Sequence, residues 1–333
     1  MERLPGHPDR RARSRERRLT PIELPSWRGP TDDPARVISL VDAWAHSVAL
    51  RELAASFGGL PPAHDPLPWF DAFSAAHWDF RAGRERNLAR APALTAEQVR
   101  LVFALAPALG LAGQERPARD GYDAVVMTGG MVRADLVKPR HVAAMLANGL
   151  EARTIVFLGG FRAFAGDEAE IARGLGLDAH DEFSAMVAGM QAAFGPLGEP
   201  VVREGAAATP FGSWRELRWS RGGMEFVVLA APSSVPGERR ADTADTYRFW
   251  AEQRRAPHER DVLLVTTPIY VPYQGAVAVQ LLGLEHGLAV ETVGTSEAAN
   301  DLGEFSQVFT AAHHLQELRS AIRGMRSLRS ALI

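Results

Sequence analysis

The chain has 333 residues, 46% of them hydrophobic, a formal net charge of -3 and no cysteine. That composition is sufficient for a sizeable core, and it excludes thiol catalysis, disulfides and Cys-ligated zinc. No apolar run reaches the roughly 20 residues that span a bilayer, and Met1-Glu-Arg-Leu-Pro5 has no apolar signal region, so a cytoplasmic protein with no membrane partner is expected.

Residues 1–32 are expected to be a disordered leader, because the arginine run Arg10–Arg18 lies in a Pro-rich stretch without periodicity. A nucleic-acid arm is the other reading of those arginines. The rest of the chain is acidic and carries no recognised nucleic-acid module, so a solvated tail is preferred and nucleic acid is not expected as a partner. Residues 33–112 read as a helical N-terminal cap. Ala35–Phe57 is amphipathic and long, Pro61–Pro68 is a breaker-rich loop, and Trp69–Asn87 is dense in aromatics that pack a helical layer onto a sheet. Thr95-Ala-Glu-Gln98 is a capping box that starts a helix running to Leu109.

Residues 113–333 alternate strand and helix. Continuous apolar runs predict strands at Asp123–Thr128, Thr154–Leu158, Glu225–Ala230, Asp261–Thr266 and Ala289–Val293. Helices are predicted at Lys138–Asn148, Asp167–Leu175, Thr243–Arg254, Gln274–His286 and Ala311–Leu328. The expected architecture is α/β, with a doubly wound, mainly parallel, five-stranded Rossmann-like sheet. An insertion at about residues 178–222, a helix at Asp181–Phe194 and then a Trp214-containing ribbon, is expected to lid or flank the site.

Ligands in such sheets bind beyond the carboxyl ends of the strands, and four places there can carry chemistry. Gly129 and Gly130 close the first strand with Arg133 just behind, which reads either as a ligand floor with an anion clamp or as a tight turn with a surface arginine. Gly159 and Gly160 close the second strand, followed by Arg162 and by Glu168 at a helix start, where the helix dipole alone would explain the carboxylate. Asp242-Thr243-Ala-Asp245-Thr246 is nearly a capping box. Its carboxylates also suit a ligand with hydroxyls or positive charge better than a polyphosphate. Thr266 and Thr267 end a buried strand, and the Pro-punctuated turn after them carries Tyr270 and Tyr273, suited to stacking, acid–base work or core packing. There is no HExxH, and adjacent His313 and His314 cannot both face one way on a helix. No metal-ligand motif is present, and a magnesium bound by the carboxylates of Asp242 and Asp245 is the metal reading left open.

In their order along the chain, these segments resemble the bacterial family that contains SanA, ElyC and YdcF. The matching segments are Asp123 to Gly130, Arg140 in Lys138-Pro-Arg-His141, Leu158-Gly-Gly160, Glu168-Ala169, Thr243-Ala-Asp-Thr246 and Leu264-Val-Thr-Thr267, within about residues 121–294. The sequence departs from the family at Tyr270 and Tyr273, where the family has histidine and arginine, and at Thr246, where it has asparagine. The resemblance implies a Rossmann-like domain of unestablished activity, with S-adenosylmethionine as cofactor. The leading expectation is a small-molecule enzyme, transferase or hydrolase, or a small-molecule binder. Its cofactor would be bound by Gly129, Gly130, Arg133, Arg140, Gly159, Gly160, Arg162, Glu168, Asp242, Thr243, Thr246, Thr266 and Thr267, with Tyr270, Tyr273 and Asp245 as catalytic groups. A phosphate-ester or nucleotide-sugar enzyme with an arginine clamp, and a non-catalytic regulatory or scaffold protein, are the alternatives. A homo-oligomer is left open.

Overall fold

The computed structural model describes residues 19–80, 93–114 and 116–333. The arginine run Arg10–Arg18 and residues 81–87 of the Trp69–Asn87 segment lie outside them. The elements in chain order are β1 (Trp27–Arg28), α1 (Pro34–Ala45), α2 (Val48–Ala55), α3 (Pro66–His77), α4 (Ala96–Leu105), β2 (Gly121–Thr128), α5 (Val132–Ala147), β3 (Glu151–Gly160), α6 (Glu168–Gly174) and α7 (Glu182–Phe194). They continue with β4 (Val201–Gly205), β5 (Trp214–Arg221), β6 (Met224–Ala231), α8 (Thr243–Phe249), β7 (Asp261–Thr266), α9 (Val271–Ala278), β8 (Ala289–Gly294), α10 (Glu297–Asn300) and α11 (Ala311–Leu332). Helices α8 and α9 each run on as a π-helical turn, at Trp250–Arg254 and Val279–Leu284.

A single mixed sheet of eight strands, in the order β1-β8-β7-β2-β3-β6-β5-β4, replaces the expected five-stranded, mainly parallel one. The five apolar runs named from sequence are β2, β3, β6, β7 and β8, and they pair parallel with one another in the order β8-β7-β2-β3-β6. The three further strands are antiparallel and lie at the edges. Their sequences hid them: β1 is two residues long, and β4 is Val-Val-Arg-Glu-Gly with four of its five residues exposed. The span read as an insertion therefore contributes β4 and β5 to the sheet and α7 to one of its faces.

The central strands are apolar on both faces because both are covered. On one face Val125, Met127, Ile155 and Leu263 meet Val142 of α5 and Met186 and Met190 of α7. On the other, Val126, Val156, Leu229 and Leu264 meet Tyr247 and Trp250 around α8 and Leu281 and Leu282 beyond α9. Helix α9 packs on two sides, with Ala278 in the core beneath the sheet and Ala276 facing a third layer built from α1 to α4 and α11. The predicted long helix Ala35–Phe57 is two helices. His46 ends α1, and the Ser47 side chain accepts from the Leu50 amide to start α2. Of the residues placed in the leader from sequence, Leu19, Ile22 and Leu24 pack on the helical third layer, and Trp27–Arg28 pair with β8 at the sheet edge, where Trp27 is buried and packs on Gly283. No described helix is long and apolar enough to cross a membrane.

Candidate functional site

A cleft of about 560 Å³ opens where β2 and β7 end side by side. The Thr128 and Thr266 hydroxyls hydrogen-bond at 3.1 Å and tie the two strand ends together. Gly129, Gly130, Thr267 and Thr243 line the cleft, with Lys138, Arg162, Glu182 and Arg240 at its charged side. Tyr270, Tyr273, Phe309 and His313 form its aromatic side. There Phe309 meets Tyr270 and His313 edge-on, with ring centroids 6.4 and 5.9 Å apart.

The charged side is built from four elements. Arg162, just past β3, donates Nη1 and Nη2 to the two oxygens of Glu168 at 2.5 and 2.9 Å, Nε to Glu182 Oε2 at 2.8 Å, and Nη2 to the Gly130 carbonyl at 2.7 Å. Glu168 also accepts from the Val132 and Ala165 amides. Burial would raise the Glu168 carboxyl, but Arg162 and these amides outweigh it and hold Glu168 below the ordinary carboxylate range. Burial disfavours charge on Arg162 too, yet its two carboxylate partners raise it further above neutrality.

Lys138 of α5, only 2% exposed, donates to the Thr128 carbonyl and, at 3.3 Å, to the Gly129 carbonyl. One turn before it, Asp135 is wholly buried, and neither carboxylate oxygen has a hydrogen-bond partner among the described residues. Pro139 lacks the N–H that would bond the Asp135 carbonyl within α5. At that point α7 packs against the helix so closely that a Cβ on Gly189 would clash with the carbonyl oxygen. Burial first, and then the charge of Glu182, push the Asp135 carboxyl well above the ordinary range against the pull of Lys138 and Arg162. Burial raises the Glu182 carboxyl as well, against Arg162 and Arg240.

Of the residues selected from sequence, Gly129, Gly130, Arg133, Arg162, Glu168, Thr243, Thr267, Tyr270 and Tyr273 come together in the cleft. The others do not line it. Asp242 and Asp245 form a reciprocal capping box on α8, and Arg239 pairs with both, to Asp245 at 2.5 Å. Burial raises the Asp245 carboxyl, but Arg239 and Ser234 outweigh it, so the group sits below the ordinary range and makes a poor base. The Thr246 hydroxyl donates to the Thr243 carbonyl, Arg140 binds the Asp301 carbonyl, and Thr266 is fully buried. Gly159 is small because Met186 and Glu182 pack on it, and Gly160 because Ala241 does. Arg133 reaches the cleft but spends Nε on the Phe305 carbonyl at 2.7 Å, with Asp167 beyond it at 3.7 Å. Burial moves Tyr273 upward, the wrong direction for a base at neutral pH. Among the described residues, no group of three or more His, Asp or Glu is placed to hold a metal ion.

Asp135, Lys138, Glu182 and Arg240 were missed from sequence. Glu182 follows the cap residue of α7 and would be explained as a helix-dipole carboxylate there. Lys138 does leave a trace, since it stands three positions after Asp135, the spacing that sets two residues on one helical face.

Comparison with known proteins places residues 28–110 in the Rv3785 N-terminal domain family. The chain is 32% identical over 328 residues to the uncharacterized protein Rv3785 of Mycobacterium tuberculosis, an alignment covering 89% of this chain and 91% of the relative. The same figures hold for Mb3814 of Mycobacterium bovis. These matches overturn the resemblance to the SanA, ElyC and YdcF family. They run through the helical N-terminal third that the resemblance left out. The short glycine-ended strands on which it rested are common to buried parallel strands generally, and Gly129 and Gly159 owe their size to Glu182 and Met186 of the chain itself.

Proposed function

The chain belongs to the Rv3785 family, and from that premise we propose that it is a small-molecule enzyme or binder whose cleft takes a nucleoside-like ligand of the S-adenosylmethionine class. The observation that carries this reading is the division of one cleft into an aromatic wall and a charged floor at the carboxyl ends of two parallel strands. A planar base has Tyr270 and Phe309 to stack on, while a carboxylate faces the side of Lys138 and Arg240. Five parallel strands at the centre, with helices on both faces, support a doubly wound, Rossmann-like reading of this part of the sheet, and in such sheets ligands collect at this edge.

A phosphate-ester enzyme with Arg133, Arg140 and Arg162 as anion clamp has less support. Arg162 is committed to two carboxylates, Arg140 lies outside the cleft, and Glu168, Glu182 and Glu317 line it. The test is calorimetry with S-adenosylmethionine, adenosine and inorganic phosphate. S-adenosylmethionine is expected to bind, and Tyr270→Ala to weaken it by about two- to tenfold, since an aromatic stack contributes about 0.5–1.5 kcal/mol. Failure of both nucleosides to bind at millimolar concentration would overturn the reading, and phosphate binding alone would favour the ester enzyme.

A further inference from the structure

Two buried carboxylates stand on either side of the Gly129–Gly130 step. Glu182 lines the cleft, and its Oε1 is so close to Gly129 that a Cβ there would clash with it; the same atom is 3.2 Å from the Cβ position of Gly159. Asp135 Oδ1 lies 4.0 Å from the Cβ position of Gly130, which also lines the cleft, and both Asp135 oxygens are without a hydrogen-bond partner among the described residues. The two differ in support. Glu182 Oε2 accepts from Arg162 Nε, whereas among the described residues no guanidinium or amide donates to Asp135.

A wholly buried carboxyl to which no described residue donates, lying in the field of a second buried carboxylate, does not ionise. The carboxylate held by the arginine keeps the charge, and the one without a donor keeps the proton. We propose that Asp135 and Glu182 share one proton at neutral pH and that Glu182 is the group that exchanges a proton with the ligand in the cleft. The pair itself needs only the residues named; the exchange step rests on the cleft being the ligand site.

In that step a ligand N–H or O–H bond breaks and its electron pair stays on the ligand atom. The proton forms an O–H bond on Glu182 Oε1, and the reverse step restores it. The charged groups facing the pair are Lys138 of α5, Arg162 after β3, Glu168 of α6 and Arg240 before α8. Three of these four are cations, so the negative charge left on the ligand atom is compensated while Glu182 is neutral.

Carboxyl-carbon NMR of the full chain, labelled at Asp and Glu and titrated from pH 4 to 9, tests the pair without any ligand. One side-chain carboxyl is expected to remain protonated at pH 7, to disappear in Asp135→Asn, and to shift its midpoint in Glu182→Gln. If every carboxyl in the wild-type chain titrates below pH 5, the shared proton does not exist. The exchange step is read in the same carboxyl-carbon spectra after S-adenosylmethionine is added at pH 7. The signal that Glu182→Gln removes is expected to move to its protonated position in the complex, and a signal that stays at its ionised position with S-adenosylmethionine bound overturns the step. If S-adenosylmethionine does not bind at all, the functional reading and the exchange step fall together, while the pair stands or falls on the titration.

Discussion

Asp135 makes the residue-scale case, because its environment penalises charge and no described residue donates to it. A carboxyl raised in the folded state contributes stability that is fully present below its unfolded value of about 4 and is lost as pH rises through the folded value. Asp135→Asn removes that loss. Its melting temperature is therefore expected to gain on the wild type as pH rises above 5, read by differential scanning fluorimetry, and a constant difference would show that Asp135 is already ionised in the folded chain at pH 5. Glu168, held below the ordinary range, contributes the opposite slope only in acid, so working above pH 5 keeps it ionised in both proteins. At this scale the sequence showed where the cleft lies but not what shapes it. Gly129 and Gly159 were legible as strand ends, yet the side chain seated on them is Glu182, distant along the chain and carrying no local signal. Arg162 was legible as a cation near a ligand, and only its three-sided engagement by Glu168, Glu182 and the Gly130 carbonyl shows it to be part of the scaffold.

At the scale of elements, local chemistry was read well wherever one residue type decides the outcome. Thr95 and Gln98 do close a capping box on α4, and all five apolar runs are strands within a few residues of their expected ends. Periodicity alone failed at Ala35–Phe57, because apolar residues continue in phase across a break that the Ser47 cap imposes. The packing of α5 on α7 was illegible because it depends on a proline in one helix and a glycine in the other. Pro139 leaves the Asp135 carbonyl without its helical donor, and Gly189 settles on it. Gly189→Ala gains helix propensity but drives a methyl group into backbone. Overpacking of this kind costs about 1–3 kcal/mol, so the denaturation midpoint is expected to fall; an unchanged or raised midpoint would mean that the two helices separate easily.

At the scale of the whole molecule, the sheet is closed at one edge by a segment whose composition reads as leader. Trp27 is 7% exposed and packs against Gly283, and its strand pairs with β8. Trp27→Ala, like deletion of residues 1–30, is expected to lower unfolding free energy by about 3 kcal/mol or more in urea titration, and a loss below about 1 kcal/mol would show that the edge holds without it. The third layer has a different dependence. Phe80 donates its amide to Gln316, 236 residues later, and Arg329 reaches back to Asp42 across 287 residues. Trp44, Leu50 and Phe70 share their core with Leu315, Leu318 and Ile322 of α11. A ribosome adds about 5–20 residues per second, so helices α1 to α4 leave the exit tunnel roughly 10 to 60 seconds before the helix that completes their core. The part of the protein made first is therefore finished last, and for that interval its tryptophans and leucines are open to any chaperone that binds nascent apolar chain.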